Sequence, residues 1–398
     1  MINVEEAQSI IKAKSLKVST ERIKIEKSLG RINKEAIFAD RDFPPFDRVT
    51  MDGLAICFDE KSTTWPIENI QLAGQAQLIL RDLNAGIEIM TGAMLPLGTD
   101  TIIRYEDLDI QEVNGQKVAM LRSPFPIIIQ GQNIHWQGSD RQKGALLIPE
   151  NTTLFPAEIA VAASVGAAQI LVANQPKVAI ISTGDELVDV SENPLPYQIR
   201  KSNGLMLSTA LQSLGITASL FHLQDDIPIL TEAIGKILAQ YDVLILSGGV
   251  SAGKADFIPQ VLENLGVVKH FHQVAQRPGK PFWFGTSIDD KMVFALPGNP
   301  VSTFVCFLKY VCPILSPAAR FQPQKAALAT PITFKPNLTY FVPVRVECDQ
   351  TGRNIAYPLA GNGSGDFANL LEANAFLELP KDETLFEAGQ VFDVLWFR

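Results

Sequence analysis

Four short polar segments carry the residues best suited to chemistry in this chain. They are Ser182-Thr183-Gly184-Asp185-Glu186, Ser247-Gly248-Gly249-Val250-Ser251-Ala252-Gly253, Arg277-Pro278-Gly279-Lys280-Pro281 and Pro297-Gly298-Asn299-Pro300-Val301-Ser302. Glycines permit positive φ and close backbone approach, while hydroxyls and backbone N–H groups hydrogen-bond anionic oxygens. Any one segment reads as a plain turn. Four that end strands along one edge of a sheet point to a site for a phosphorylated ligand. The second segment has neither the G-x-x-x-x-G-K-[ST] order of a P-loop nor a G-x-G-x-x-G fingerprint. Asp185, Glu186, Asp225, Asp226 and Asp256 lie beside these loops, and a hard cation such as Mg²⁺ would reconcile them with phosphate. Glu186 and Asp256 are the candidate metal ligands, whereas Asp225 and Asp226 read equally well as helix caps or solvated turns. Lys280 is the natural contact for a phosphate or oxyanion.

The elements that must position these loops follow from periodicity. KVAIIST at 177–183 is an unbroken apolar run ending in a polar loop, as expected of a strand buried on both faces. SNGLMLSTALQSLG reads as a helix capped by Ser202 or Asn203 and stopped by Gly215. ASLFHL, YDVLILSGG and MVFALPG are further strands, with helices over 226–239 and from near Asp256 to Gly266. These βα repeats predict a three-layer α/β domain with a mostly parallel sheet over 176–325, its ligands beyond the carboxyl ends of the strands. Short strands between glycine and proline turns predict a C-terminal β-barrel-like domain over 326–398. Its GNGSGDF loop has more glycine than a hairpin requires. Residues 51–145 read as an inserted, mostly-β domain, flanked by an N-terminal helical and extended domain over 1–50 and 146–175. In the latter, residues 4–37 read as mostly helical, including a second short helix over 23–29, and a further helix falls at about 156–164.

The 398 residues, 46% hydrophobic and 19% charged, fit a soluble chain of several domains. A net charge of −9 without a basic stripe argues against nucleic acid as a partner. The four cysteines, at 57, 306, 312 and 348, form no C-x-x-C pair, so a reducing compartment is expected. The N-terminus lacks a signal-peptide pattern and no apolar run reaches 18 residues, so the expectation is a cytoplasmic protein with no membrane span. Histidines 135, 222, 270 and 272 make no zinc set, and His270 and His272 read as strand packing.

Read in order, PPFDRVTMDGLAI (44–56), IMTGAMLPLGTDTIIRYED (89–107), ISTGDEL (181–187), SNGLML (202–207), LSGGVSAGKADF (246–257), RPGKPFWFG (277–285) and LPGNPVSTF (296–304) span almost the whole chain. In that order they resemble the molybdopterin molybdenumtransferase family, MoeA in bacteria and the gephyrin E domain in animals. The resemblance implies a four-part subunit that forms a homodimer, with a cleft between the α/β domain of one subunit and the inserted domain of the other. It implies adenylylated molybdopterin and molybdate as substrates, AMP as a product, molybdenum inserted into the dithiolene, and Mg²⁺ assisting. It also admits a molybdopterin adenylyltransferase as the partner that delivers substrate.

Roles carry over by position. Asp52, Thr91 and Asp140 match active-site residues on the N-terminal side. Glu186 and Asp256 match acidic residues that hold the cation or organise molybdate, and Asp226 matches an aspartate before the 227–239 helix. Ser251, Lys280, Pro297 and Pro300 match residues shaping the pocket. Thr183, Gly184, Ser247, Gly248 and Gly249 sit in the matched segments as cofactor-binding candidates, as do Pro278, Gly279, Gly298 and Asn299. Three positions depart from the family pattern. His135 stands for an arginine, Ser139 for a glutamate, and Lys254 for an acidic residue. They leave a catalytically weak pterin-binding or scaffold homologue as the alternative; Glu186 and Asp256 favour an enzyme.

Overall fold

The computed structural model describes residues 1–14, 16–250, 256–315, 324–361 and 363–398. Ser251 and Lys254, singled out above, lie outside the described residues. The chain forms two compact units: residues 22–172, and residues 1–21 together with 173–398.

In the first unit, a six-stranded sheet is built from β1 (Gly53–Ile56), β2 (Thr64–Gln71), β3 (Gly86–Ile89), β4 (Thr101–Arg104), β5 (Leu108–Val113) and β6 (Gln116–Leu121). The order is β4-β1-β3-β2-β6-β5. Every residue of β1 is buried. Its first residue must be glycine, because a Cβ on Gly53 would lie 1.9 Å from the Ile103 carbonyl oxygen. That close approach fixes Asp52 at the mouth of the strand. The helix expected near 156–164 spans Pro156–Ser164. The helix expected over 23–29 is absent: Thr20–Lys24 is a strand followed by a single 3₁₀ turn, Ile25–Lys27. Ile23 and Ile25 both turn toward the core that includes Leu154 and Ile170, a period of two that suits a strand.

The second unit contains a three-layer α/β domain. Its strands are β7 (Val178–Thr183), β8 (Ala218–Leu223), β9 (Val243–Ser247), β10 (Val268–His272), β11 (Trp283–Thr286) and β12 (Met292–Leu296). They lie in the order β8-β7-β9-β12-β11-β10. The first four are parallel, whereas β11 runs antiparallel to both β12 and β10. Alternation along the buried strands feeds two cores. Val178, Ile180, Val243 and Ile245 join α1 (Val4–Lys12), α2 (Asn203–Ser213) and α5 (Pro300–Cys306) on one face. Ala179, Ile181, Leu244 and Leu246 join α3 (Ile227–Gln240) and α4 (Ile258–Asn264) on the other. Each fully buried aliphatic side chain in these layers contributes roughly 1.5–3 kcal/mol. Helix α1, expected to belong with residues up to 50, instead buries Val4, Ala7 and Ile11 in the α/β core.

The C-terminal strands are β13 (Gln324–Leu328), β14 (Thr339–Cys348), β15 (Asn354–Pro358), β16 (Ala375–Leu379) and β17 (Val391–Trp396). They run β14-β15-β13-β17-β16, and β16 pairs back onto β14, closing a five-stranded barrel. Gln276–Arg277 adds to this barrel in parallel beside Thr339–Tyr340. The Arg277–Pro281 loop is thereby anchored on the barrel and the α/β sheet together.

Candidate functional site

The four loops meet. Those following β7, β9 and β12 leave the carboxyl ends of adjacent parallel strands, and the Arg277–Pro281 loop closes over them from the barrel side. Together they line a cleft of about 1090 Å³. Thr183, Gly184, Glu186, Ser247, Gly248 and Gly249 contribute to its wall, as does Asp256. So do Pro278, Gly279 and Lys280, and the run Pro297–Pro300. Gly248 and Gly249 adopt φ of +104° and +68°. A Cβ on Gly248 would stand 3.0 Å from the Thr183 carbonyl oxygen, and one on Gly249 would stand 2.8 Å from Ile258 Cγ1.

Several supports were not apparent from sequence. Asn203, read there as a possible helix cap, makes no cap; its Nδ2 donates to Ser247 Oγ at 2.9 Å and to the Gly298 carbonyl at 2.7 Å, tying two loops together. Gln276, fully buried, donates from Nε2 to the Pro278 carbonyl at 3.0 Å, and the Tyr310 hydroxyl donates to its Oε1. Ser364, from the glycine-rich barrel loop, accepts from Asn299 Nδ2 at 2.8 Å and enters the cleft wall. His272 is more than strand packing, and His222 acts in the same way. Through Nε2, His222 donates to the Gly184 carbonyl at 3.1 Å and His272 to the Val250 carbonyl at 3.0 Å, each bracing a site loop from beneath.

The acidic residues divide. Asp226 does not reach the cleft; its carboxylate caps α3, accepting from the Ile229 N–H at 3.0 Å. A short aspartate at an N-cap satisfies a helix donor that would otherwise be unpaired. Asp225 faces the cleft. Burial, and then the negative charges of Asp185, Glu186 and Asp256, raise its carboxyl above the ordinary aspartate value. Among the described residues, no three histidine, cysteine or acidic side chains are grouped to hold a metal unaided. The donor set is nonetheless all hard oxygen, which suits Mg²⁺ when a ligand's phosphate completes the shell. Lys280 is solvent-exposed. Two buried oxygens at the cleft, Thr183 Oγ1 and Asn203 Oδ1, have no partner among the described residues, and buried polar atoms are ordinarily paired.

The other three candidates lie in the unit of residues 22–172. The Asp52 carboxylate accepts from the Thr91 N–H at 2.6 Å and from its hydroxyl at 2.7 Å. The Thr91 hydroxyl and then its N–H hold that carboxyl below the ordinary aspartate value. Asp140 accepts from His135 at 2.8 Å. Nearby, Tyr105 donates to Glu88 at 3.2 Å, and burial followed by the Glu88 charge pushes the phenol up to about 12.

Comparison with known proteins matches this architecture along its length. Family profiles for the MoeA N-terminal region (domain I and II), a probable molybdopterin binding domain and the MoeA C-terminal region (domain IV) match residues 2–166, 179–317 and 325–397. A molybdopterin molybdenumtransferase of Synechocystis sp. is 38% identical over 397 residues, covering 98% of this chain and 99% of that protein. One from Bacillus subtilis is 33% identical over 392 residues, covering 95% and 90%. The crystal structure of a molybdopterin biosynthesis MoeA protein from Pyrococcus horikoshii matches at a TM-score of 0.81 and 30% identity, covering 100% of this chain and 99% of that chain. With three family profiles matching in order along the chain and relatives this similar over 90% or more of their length, the chain belongs to the MoeA family of molybdopterin molybdenumtransferases, enzymes of molybdenum cofactor biosynthesis.

Proposed function

We propose that the cleft binds adenylylated molybdopterin and molybdate, releases AMP and places molybdenum on the dithiolene. The observation that carries this reading is the meeting of four glycine- and proline-rich loops with Glu186, Asp225 and Asp256 in one cleft. The loops after β7 and β9 receive the phosphates through backbone N–H groups, and the Thr183 hydroxyl gives one more donor. Lys280 and the loop N–H groups hold molybdate, an oxyanion that a bare carboxylate repels. Glu186 and Asp256 are the residues that would hold Mg²⁺, which neutralises charge on the phosphoanhydride when bound. Asp225, its proton affinity raised by its neighbours, takes a proton from water as the oxygen of that water bonds to the adenylyl phosphorus. The anhydride P–O bond then breaks, AMP leaves, and the pterin keeps its own phosphate. In a homodimer, a second copy's inserted domain would bring Asp52, Thr91 and Asp140 to this chemistry.

The reading is tested with purified protein, adenylylated molybdopterin, molybdate and Mg²⁺. Asp256→Ala should lower AMP release by on the order of 100-fold or more. Tight pterin binding with no molybdate-dependent AMP release would make the protein a binder or scaffold.

A further inference from the structure

Three charged or titratable side chains form a chain of hydrogen bonds within residues 22–172. Arg48–Val49 pairs antiparallel with Ile134–His135, and Arg48 stands directly opposite His135. Side chains directly opposite in an antiparallel pair share a face and touch. Here Arg48 Nη2 lies 3.0 Å from His135 Nδ1, and His135 Nε2 lies 2.8 Å from Asp140 Oδ1.

The proton positions follow from donor and acceptor inventories. A guanidinium only donates and stays protonated, so His135 Nδ1 must accept and cannot carry a hydrogen. A proton on that nitrogen would face an Arg48 N–H across 3.0 Å. The ring is therefore the neutral tautomer with its hydrogen on Nε2, and that hydrogen is given to Asp140. Arg141 donates to the Asp140 main-chain carbonyl at 2.6 Å rather than to the carboxylate. Asp140 Oδ2 has no partner among the described residues.

We propose that Arg48 is a positioning residue for Asp140, acting through His135: it locks the imidazole tautomer, and the Nε2–H fixes one carboxylate oxygen so that the other is presented outward. For turnover, the proposal rests on the functional reading above. For the tautomer it stands on the geometry alone.

The test is ¹⁵N-histidine labelling of the full chain. It has only four histidines, and the His135 signals are assigned by their loss in His135→Gln. The expected result is one protonated nitrogen, Nε2, and one bare nitrogen, Nδ1, whose signal shifts in Arg48→Met as its donor is removed. In the AMP-release assay, Arg48→Met should lower kcat by on the order of 10- to 100-fold with little change in KM, as for a misplaced catalytic group. His135→Gln should stay near wild type, because its amide can accept from Arg48 and donate to Asp140. A proton on Nδ1, ring signals indifferent to Arg48→Met, or unchanged kcat in Arg48→Met with active wild type would overturn the proposal. If wild type releases no AMP, the functional reading fails, while the ring signals still decide the relay.

Discussion

Residue types alone do not separate Asp225 from Asp226, and the resemblance points to Asp226; in the structure Asp226 caps a helix and Asp225 faces the cleft. The difference is a single residue of backbone direction at the end of β8, which no composition argument reaches. Its raised carboxyl has a stability consequence. An acid whose folded value exceeds its unfolded one is penalised for ionising, so its relative contribution is fully present below about pH 3.8 and lost as pH rises through the higher folded value. Asp225→Asn should therefore raise Tm above that window in Mg²⁺-free buffer and change little near pH 3.8. Differential scanning calorimetry across pH checks this; equal Tm values at neutral pH would remove the repulsion argument. Thr183, Gly184, Glu186, Ser247 and the PGNP loop were legible because each follows an apolar run in continuous sequence, and the PGKP loop because an apolar run follows it. Asn203, Gln276 and Ser364 were not, since each has a partner between 34 and 100 residues away.

At the scale of elements, the apolar runs located the buried strands of the α/β sheet. They did not show that β11 alone runs antiparallel to its neighbours β12 and β10, because a run buried on both faces carries no direction. The short Ile23–Leu29 segment misled for a related reason: few residues cannot distinguish a period of 3.6 from one of two. The barrel's attachment was invisible in sequence. It includes Lys309, on the π-helical segment Phe307–Val311 that continues α5, which pairs with Glu378 on β16 at 2.5 Å with both side chains mostly buried. Removing one partner leaves an uncompensated charge. Lys309→Met should cost roughly 3–5 kcal/mol in urea unfolding, and pairing it with Glu378→Leu should recover much of that. A Lys309→Met protein as stable as wild type would show that solvent reaches the pair.

At the scale of the whole molecule, the candidate residues fall in two compact units of one chain, and the proposed dimer decides how they cooperate. Asp52→Ala and Glu186→Gln chains, each inactive alone, can be co-expressed with different tags and the mixed dimer purified. If each site combines the α/β domain of one subunit with the inserted domain of the other, one of the two sites is intact. The mixed dimer should then show about half the wild-type turnover. A site built within one chain leaves both damaged, and the mixed dimer would be silent.

The central claim is that the cleft couples AMP release to molybdenum insertion. The most direct measurement is AMP formed from adenylylated molybdopterin with molybdate and Mg²⁺ present or withheld, using wild type and Glu186→Gln. The account predicts rapid release from wild type only when both ions are present, and release lowered by on the order of 100-fold in Glu186→Gln. Equal release from the two proteins, or release indifferent to molybdate, would contradict it.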